Sequence, residues 1–458
     1  MKTFFLLSFS VLLMLSGCGE TSAGNNGANA TPPPIETSTG CRVPKLSKPE
    51  VRPMLVVRIS YKNVQLVDDA DAWSALLFGN DPHELNHYYR TISGGRFSFE
   101  PADETDGKHD GIVTVSLPKN HPDSGYGTQI HPDLAAALEQ ADPFVDFHAY
   151  DRNGDGAVTP DELLIVFIVA GNEDAFSGVS DVPGIWAHQS CTGSTDTPVL
   201  DGVSLMGCAK GGNYAVFGER HIDDTINYNH RATIGIIAHE LGHAAFDLPD
   251  LYDTDGSSAG IGYFGLMASG IWGQETINDP YGNTPTPMIA WSRMHNGWIA
   301  PHIVPKGSTE TVILHDTDAP DYNIALLPME DGQCFLLENR STQGYDASLH
   351  MLPGFYRGGL AVWHIDQNVI DARYAANTVN ADETHKGIDL EEAAKAGLDD
   401  DPRFAGDARN LFFRGNKTAF GPLTHPSSAL NDGRPSGITV TDISDPGSVM
   451  SLIAKDTP

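Results

Sequence analysis

The sequence predicts an α+β fold, in which a mixed sheet packs on one buried helix and a β-rich C-terminal domain follows. Residues 54–60 and 163–170 are runs of apolar and β-branched side chains, which are typical of buried strands. The apolar run at residues 234–238 fits a buried helix. From about residue 301 onward, strand-like segments alternate with turns rich in Gly, Pro and Asp. This alternation indicates a second, mainly β region.

The N-terminus carries the pattern of an export signal. Lys2 is followed by an apolar stretch at residues 4–15, too short to cross a membrane comfortably, and then by the tetrad LSGC ending at Cys18. The tetrad resembles a bacterial lipoprotein signal, which implies a signal peptide at residues 1–17 and lipidation of Cys18. An ordinary signal peptide with an incidental cysteine is the alternative. Residues 18–45 are rich in small polar residues and Pro, which predicts a flexible tether.

From this signal we expect an exported protein, lipid-anchored to the bacterial envelope at the outer membrane or cell surface, with release as an open alternative. The chain has 60 acidic and 28 basic residues, for a net charge of −32. Such a surface repels nucleic acid and anionic lipid. We therefore expect no nucleic-acid partner and membrane contact through the lipid anchor alone.

Four cysteines remain beyond Cys18, and in an exported chain they permit two disulfides with three possible connectivities. Cys191 and Cys208 flank a segment rich in Gly, Thr, Asp and Ser that is typical of a loop, so this pair is predicted. The pairing of Cys41 with Cys334 then follows only by elimination. The chain contains no C-x-x-C pair, which argues against a cysteine zinc site.

A zinc-binding motif, H-E-x-x-H, lies at residues 239–243. On a helix, His239 and His243 leave the same face about one turn apart, so two ring nitrogens can bind one Zn²⁺. Glu240 is placed beside the first ligand, where it can take a proton from a zinc-bound water as general base. Two histidines at this spacing also occur by chance, but here an apolar run precedes the motif and acidic residues follow it.

A calcium-loop pattern, D-x-[DN]-x-[DN]-G-x5-E, covers residues 151–162. Its predicted ligands are side-chain oxygens, one backbone carbonyl and one water-mediated contact, and Gly156 allows the sharp turn. These ligands are Asp151, Asn153, Asp155, Ala157 (carbonyl), Thr159 (through water) and Glu162. An acidic turn without metal is the alternative. A strand pattern, not an exit helix, comes next, so we expect a structural Ca²⁺ site and no sensor.

Taken together, the motifs resemble the M6 metalloproteases, the immune inhibitor A-like peptidases, over roughly residues 50–450. The matching segments are Tyr88 and Tyr89 ahead of SGG at 93–95, the Asp-rich loop before a strand, HELGH at 239–243, LPDLYD at 248–253, LMASG at 266–270, PMIAW at 287–291, LLENR at 336–340 and GLAVWHID at 359–366. The resemblance implies a metzincin-like zinc protease domain at residues 46–300, carrying the calcium loop, and a β-rich C-terminal domain at 301–458. It also implies an exported zinc metalloendopeptidase with a Met-turn at Met267, acting on proteins or peptides through a zinc-activated water and Glu240.

The third zinc ligand is the least determined part of this prediction. Metzincin-like motifs read H-E-x-x-H-x-x-G-x-x-H/D, whereas here Phe246 stands at the glycine position and Asp250 follows His243 by seven residues. Asp250 is the candidate by motif match; Asp247, Asp253 and Glu275 stay open. Tyr252, Tyr263 and Tyr281 are available to assist, and the sequence does not choose among them.

Two other functions are compatible with parts of this pattern. One is a zinc-dependent amidase or esterase acting on a non-protein substrate. The other is a surface adhesin with a vestigial zinc site, although an intact Glu240 argues against it because a binding module needs no base there.

Overall fold

The computed structural model describes residues 40–124, 127–176 and 178–457. The predicted signal peptide, Cys18 and most of the tether lie outside these residues. Within the described chain, no helix has the length and apolar character needed to cross a membrane.

The helices and strands are numbered here in chain order. The helices are α1 (Ala70–Phe78), α2 (Leu85–Ile92), α3 (His131–Ala141), α4 (Ile234–Phe246), α5 (Ala290–His295) and α6 (Gln367–Arg373). The strands are β1 (Glu50–Tyr61), β2 (Phe97–Pro101), β3 (Ile112–Leu117), β4 (Ala157–Val158), β5 (Leu164–Glu173), β6 (Gly184–Ile185), β7 (His188–Ser190), β8 (Val199–Leu200), β9 (Val203–Leu205), β10 (Tyr214–Asp223), β11 (Tyr228–Arg231), β12 (His302–Ile303), β13 (Thr309–His315), β14 (Ala325–Pro328), β15 (Gln333–Arg340), β16 (Gly359–Asp366), β17 (Ile388–Leu390), β18 (Ile438–Thr441) and β19 (Val449–Asp456).

The largest sheet runs in the order β11-β10-β5-β1-β2, with β3 beside β1, β6 beside β5 and β7 beside β10. The pairings among β1, β2, β3, β5 and β10 are parallel, whereas β7 and β11 pair antiparallel with β10. The sheet is therefore mixed. The protein is a mixed α/β protein, which confirms the prediction at that level.

Side-chain alternation along the central strand β5 explains why both faces of this sheet are covered. Leu164, Val166 and Ile168 join the core cluster that contains α4, while Ile165 and Phe167 join the cluster that contains α3. A strand that is buried on both faces reads as a continuous apolar run, which is the pattern seen at residues 163–170.

In the C-terminal half, β12-β14-β15-β16-β17 form one sheet and β13-β19-β18 another. The five-stranded sheet has two buried faces. Leu336 and Trp363 lie in the same core cluster as α4, whereas Phe335 and Leu337 face a separate core with the three-stranded sheet. The α4 core therefore continues past residue 300, and the domain limits set out above stay predictions.

Two disulfides join the described cysteines, Cys191 to Cys208 and Cys41 to Cys334. The second one attaches the start of the described chain to β15, across a sequence separation of 293 residues. It therefore connects the end of the predicted tether to the C-terminal half.

Candidate metal centre

Helix α4 carries the H-E-x-x-H motif and is buried along almost its whole length. Its glycines allow a neighbouring segment to approach closely. A Cβ at Gly242 would lie 2.6 Å from the sulfur of Met267, and a Cβ at Gly235 would lie 1.9 Å from the carbonyl oxygen of Ile271. Residues 267–271 therefore pack directly on the helix that bears the histidines.

Three ligand atoms converge beside α4. His239 Nε2 and His243 Nε2 are 3.2 Å apart, and each lies 3.1 Å from Asp250 Oδ1. Among the described residues, these three side chains form the group of His, Cys, Asp or Glu whose atoms are close enough to hold one metal ion. A tetrahedral zinc ion with bonds of ~2.0–2.1 Å separates its ligand atoms by roughly 3.3 Å, so the triangle fits zinc.

Backbone carbonyls set the tautomers of both histidines. His239 Nδ1 lies 3.1 Å from the carbonyl oxygen of Leu266, and His243 Nδ1 lies 2.5 Å from that of Leu248. Because a carbonyl can only accept, each Nδ1 carries a hydrogen, and a ring with no second proton turns its Nε2 lone pair to the centre. Asp250 Oδ1 is buried there with no hydrogen-bond partner other than these two rings. Three such atoms facing one another favour a positive charge between them, either a proton or a metal ion.

The pKa shifts of His243 and Asp250 also indicate that this cluster favours a positive charge. Burial alone would lower the pKa of His243, but the Asp250 carboxylate outweighs it and raises that pKa to about 9. Burial alone would raise the pKa of Asp250, yet His243 and His239 hold it below its usual range. A metal ion would displace the proton on His243, so protons and metal compete for this cluster.

Glu240 is buried on the same helix but lies outside the ligand triangle. The backbone N–H of Gln189, in strand β7, donates to its carboxylate, and burial raises its pKa above the usual range. A carboxylate with a raised pKa is a stronger base, which suits proton transfer near neutral pH.

The other acidic candidates lie elsewhere. Asp247 ends α4 in the left-handed conformation, with φ of 54°. The Asp253 carboxylate accepts hydrogen bonds within its own loop, from Asp255 N and from Ser257 and Ser258. Glu275 is exposed. The structure thus brings Asp250, and none of these three, to the histidines.

One protein-family match includes the His–His–Asp group and Glu240. Residues 69–299 match the family described as Immune inhibitor A peptidase M6, catalytic domain. The chain belongs to the M6 peptidase family. It is therefore a peptidase of a family that works with a metal.

Solved structures offer a weaker similarity. The crystal structure of wild-type OgpA from Akkermansia muciniphila shares 15% identity over 65% of this chain and 74% of that chain, with a TM-score of 0.29. Catalytically inactive OgpA in complex with an O-glycopeptide shares 16% identity over 65% and 73%, with a TM-score of 0.26. No curated protein matches the chain.

The extra residue of this M6 peptidase is accommodated at the end of α4. Phe246, at the position of the motif glycine, packs on Phe97 and Trp298 with ring centroids 4.7 and 4.9 Å away. The left-handed turn is made one residue later by Asp247, whose N–H donates to the His243 carbonyl. With the turn at this position, Asp250 lies beside both histidines.

The calcium-loop residues of the M6 peptidase form a tight turn ahead of β5. Asp151 accepts hydrogen bonds from the N–H groups of Gly154, Asp155 and Gly156, and Glu162 accepts from those of Arg152, Asn153 and Thr159. Thr159 Oγ1 donates to Glu162, and Ala157 starts β4. Within the described chain, the carboxylates of Asp151, Asp155 and Glu162 do not converge as the His–His–Asp group does. Calcium binding here stays a prediction.

Two further contacts of the M6 site have no signature in the sequence. The two carbonyls that orient the histidines belong to leucines, and a backbone acceptor cannot be recognised from residue type.

Of the three tyrosines considered as assisting residues, Tyr252 stacks beside His239 with ring centroids 6.4 Å apart, whereas Tyr281 packs against Phe176.

Proposed function

We propose that this M6 peptidase is an exported zinc metalloendopeptidase that hydrolyses peptide bonds of proteins. The observation that carries the proposal is the triangle of His239 Nε2, His243 Nε2 and Asp250 Oδ1, with edges of 3.1–3.2 Å, beside a buried Glu240. Two imidazoles and one carboxylate are a common protein ligand set of catalytic zinc sites, which keep one position open.

When bound, zinc supplies Lewis acidity, which lowers the pKa of water towards ~7 and polarises the substrate carbonyl. The chain's own residues do the rest. The carbonyls of Leu266 and Leu248 accept from the Nδ1–H groups and so aim the Nε2 atom of each imidazole at the centre. The Glu240 carboxylate accepts the proton of the attacking water and then donates it to the nitrogen of the leaving amine. Burial favours this cycle because it raises the affinity of Glu240 for the proton.

Casein hydrolysis by the purified protein, with and without a chelator and after zinc is restored, tests the proposal. We expect cleavage that the chelator abolishes and zinc restores, and a His243→Ala variant that is inactive and binds less than one equivalent of zinc. Cleavage that resists the chelator would overturn the zinc mechanism. Zinc-dependent hydrolysis of simple amides or esters without casein cleavage would favour the amidase or esterase, and zinc binding without any hydrolysis would favour the adhesin.

We also propose that the protein is anchored to the bacterial envelope through lipid on Cys18. The two disulfides support export, because such bonds persist in oxidising compartments. A Cys18→Ala variant should leave the membrane fraction, and an unchanged fractionation pattern would indicate an ordinary signal peptide.

A further inference from the structure

A side chain from the C-terminal half, Asn377, contacts the proposed third ligand at two points. Its Oδ1 accepts a hydrogen bond from the backbone N–H of Asp250 at 2.7 Å. Its Nδ2 donates to Asp250 Oδ2 at 2.6 Å. The two residues are 127 positions apart in sequence. One amide therefore holds both the backbone and the carboxylate of Asp250.

These bonds decide which carboxylate oxygen faces the histidines. Oδ2 is engaged by the amide, so Oδ1 is the oxygen directed at the two Nε2 atoms. Rotation of the carboxylate would break the bond from Nδ2. Because Asp250 is only 3% exposed, water has little access to replace the lost donor. Asn377 thus holds Asp250 for binding through one oxygen.

The backbone around Asn377 is itself anchored to the loop that follows α4. Asn377 has φ of 53°, a left-handed conformation that asparagine tolerates better than most residues, and its N–H donates to the Tyr374 carbonyl at 2.9 Å. The Tyr374 hydroxyl bonds to the Asp247 carbonyl and to His295 Nε2. Further along, Asn380 Nδ2 donates to the Leu251 carbonyl at 3.0 Å.

We propose that Asn377 is a positioning residue that sets how tightly and through how many oxygens Asp250 binds the metal. The inference rests on the proposed function, since it takes Asp250 as a zinc ligand. The inference also goes beyond the proposed function, because Asn377 lies outside residues 69–299, which match the M6 catalytic domain. The metal centre is therefore completed by a segment from outside that region.

Two substitutions separate the loss of the hydrogen bonds from backbone strain. Asn377→Gly removes the side chain and keeps the left-handed turn relaxed, whereas Asn377→Ala removes it and adds strain. Matched controls are Asn227→Gly and Asn227→Ala, because Asn227 is exposed in the turn between β10 and β11 and has the same φ of 53°. Zinc affinity is measured for the full-length protein by competition with a chelator.

We expect both Asn377 variants to bind zinc ~10–100-fold more weakly, the usual loss when a residue that orients a ligand is removed. Both Asn227 variants should bind zinc like the parent. At saturating Co²⁺, the visible absorption of both Asn377 variants should also change, because a freed Asp250 binds through both oxygens and raises the coordination number. A purely structural role would leave the spectrum of the saturated site unchanged.

Asp250→Ala, measured in parallel, distinguishes failure of the inference from failure of the proposed function. If Asp250→Ala keeps zinc at parental affinity, Asp250 is no ligand and the proposed ligand set is wrong. If Asp250→Ala loses zinc while either folded Asn377 variant binds within about threefold of the parent with an unchanged Co²⁺ spectrum, the positioning role is refuted. Either Asn377 variant suffices if the other fails to fold.

Discussion

Single residues decide where lone pairs and protons lie in this metal centre. His239 and His243 are held by backbone carbonyls, so their free nitrogens meet, while Glu240 on the same helix receives an N–H from β7. The proposed ligands and the proposed base thus have different surroundings although they are adjacent in sequence. This separation makes their substitutions distinguishable.

Glu240→Gln should keep zinc and lose most activity. The amide preserves the shape of the side chain but cannot accept the proton, and general base catalysis contributes ~10²–10⁴-fold. We expect one equivalent of zinc by elemental analysis and a fall of that size in kcat/KM on casein. The exposed Glu275→Gln variant is the control and should match the parent. Near-normal turnover by Glu240→Gln would refute the assigned base.

Substitutions at Asp247 should affect stability without removing zinc. Aspartate tolerates this left-handed φ better than alanine does and glycine adopts it without strain, so Asp247→Ala should lower the free energy of unfolding by ~1 kcal/mol, whereas Asp247→Gly should leave it unchanged or raise it. Urea unfolding and zinc analysis check both effects. Zinc loss in Asp247→Ala with zinc retained in Asp250→Ala would show that the ligand is Asp247.

At the scale of elements, two tight turns adjoin the buried segments α4 and β5 and have different roles. The α4 C-terminus turns at Asp247 and returns Asp250 to the histidines. The loop at residues 151–162 turns on carboxylates that accept backbone N–H groups just before the central strand β5. The first turn serves the chemistry, and we expect the second to serve stability.

The loop at residues 151–162 should make thermal stability depend on calcium. A cation that binds only the folded state stabilises it by about 2.7 kcal/mol when its concentration is ~100 times Kd. Added Ca²⁺ should therefore raise Tm in the parent and not in an Asp151→Ala, Glu162→Gln double variant, which should keep its activity at low temperature. A parental Tm insensitive to calcium would exclude the site, and lost activity in a folded double variant would exclude a purely structural role.

At the scale of the whole molecule, the two halves of the chain share one core and one site. Leu336 and Trp363 lie in the core cluster of α4, and Arg340 donates to the Phe264 carbonyl just before the segment that carries Met267. Asn377 approaches Asp250 from the same half. Unfolding of the C-terminal half should therefore also disturb the metal centre.

The Cys41–Cys334 disulfide should contribute more stability than Cys191–Cys208. Closing a loop of 293 residues removes more entropy from the unfolded chain than closing one of 17, about 6 against about 3 kcal/mol in the chain-entropy account. Urea unfolding of the two double Cys→Ala variants should show this order. Equal losses would contradict it and indicate residual structure in the unfolded chain.

Sequence alone determined the features that depend on local spacing. The i, i+4 histidines require only a helix, and the run at residues 163–170 becomes β5 because a strand buried on both faces needs apolar side chains at every position. Helix α1 was not predicted, although Asp69 caps it by accepting from Ala72 N.

The tertiary structure alone decided how distant parts of the chain meet. Four acidic residues could have served as third ligand by sequence, and the turn at Asp247 with the loop that follows it brings Asp250 to the histidines. The carbonyls of Leu266 and Leu248 and the amide of Asn377 could not be read in advance. Their roles arise from packing between segments up to 127 residues apart, which no periodicity along the chain encodes.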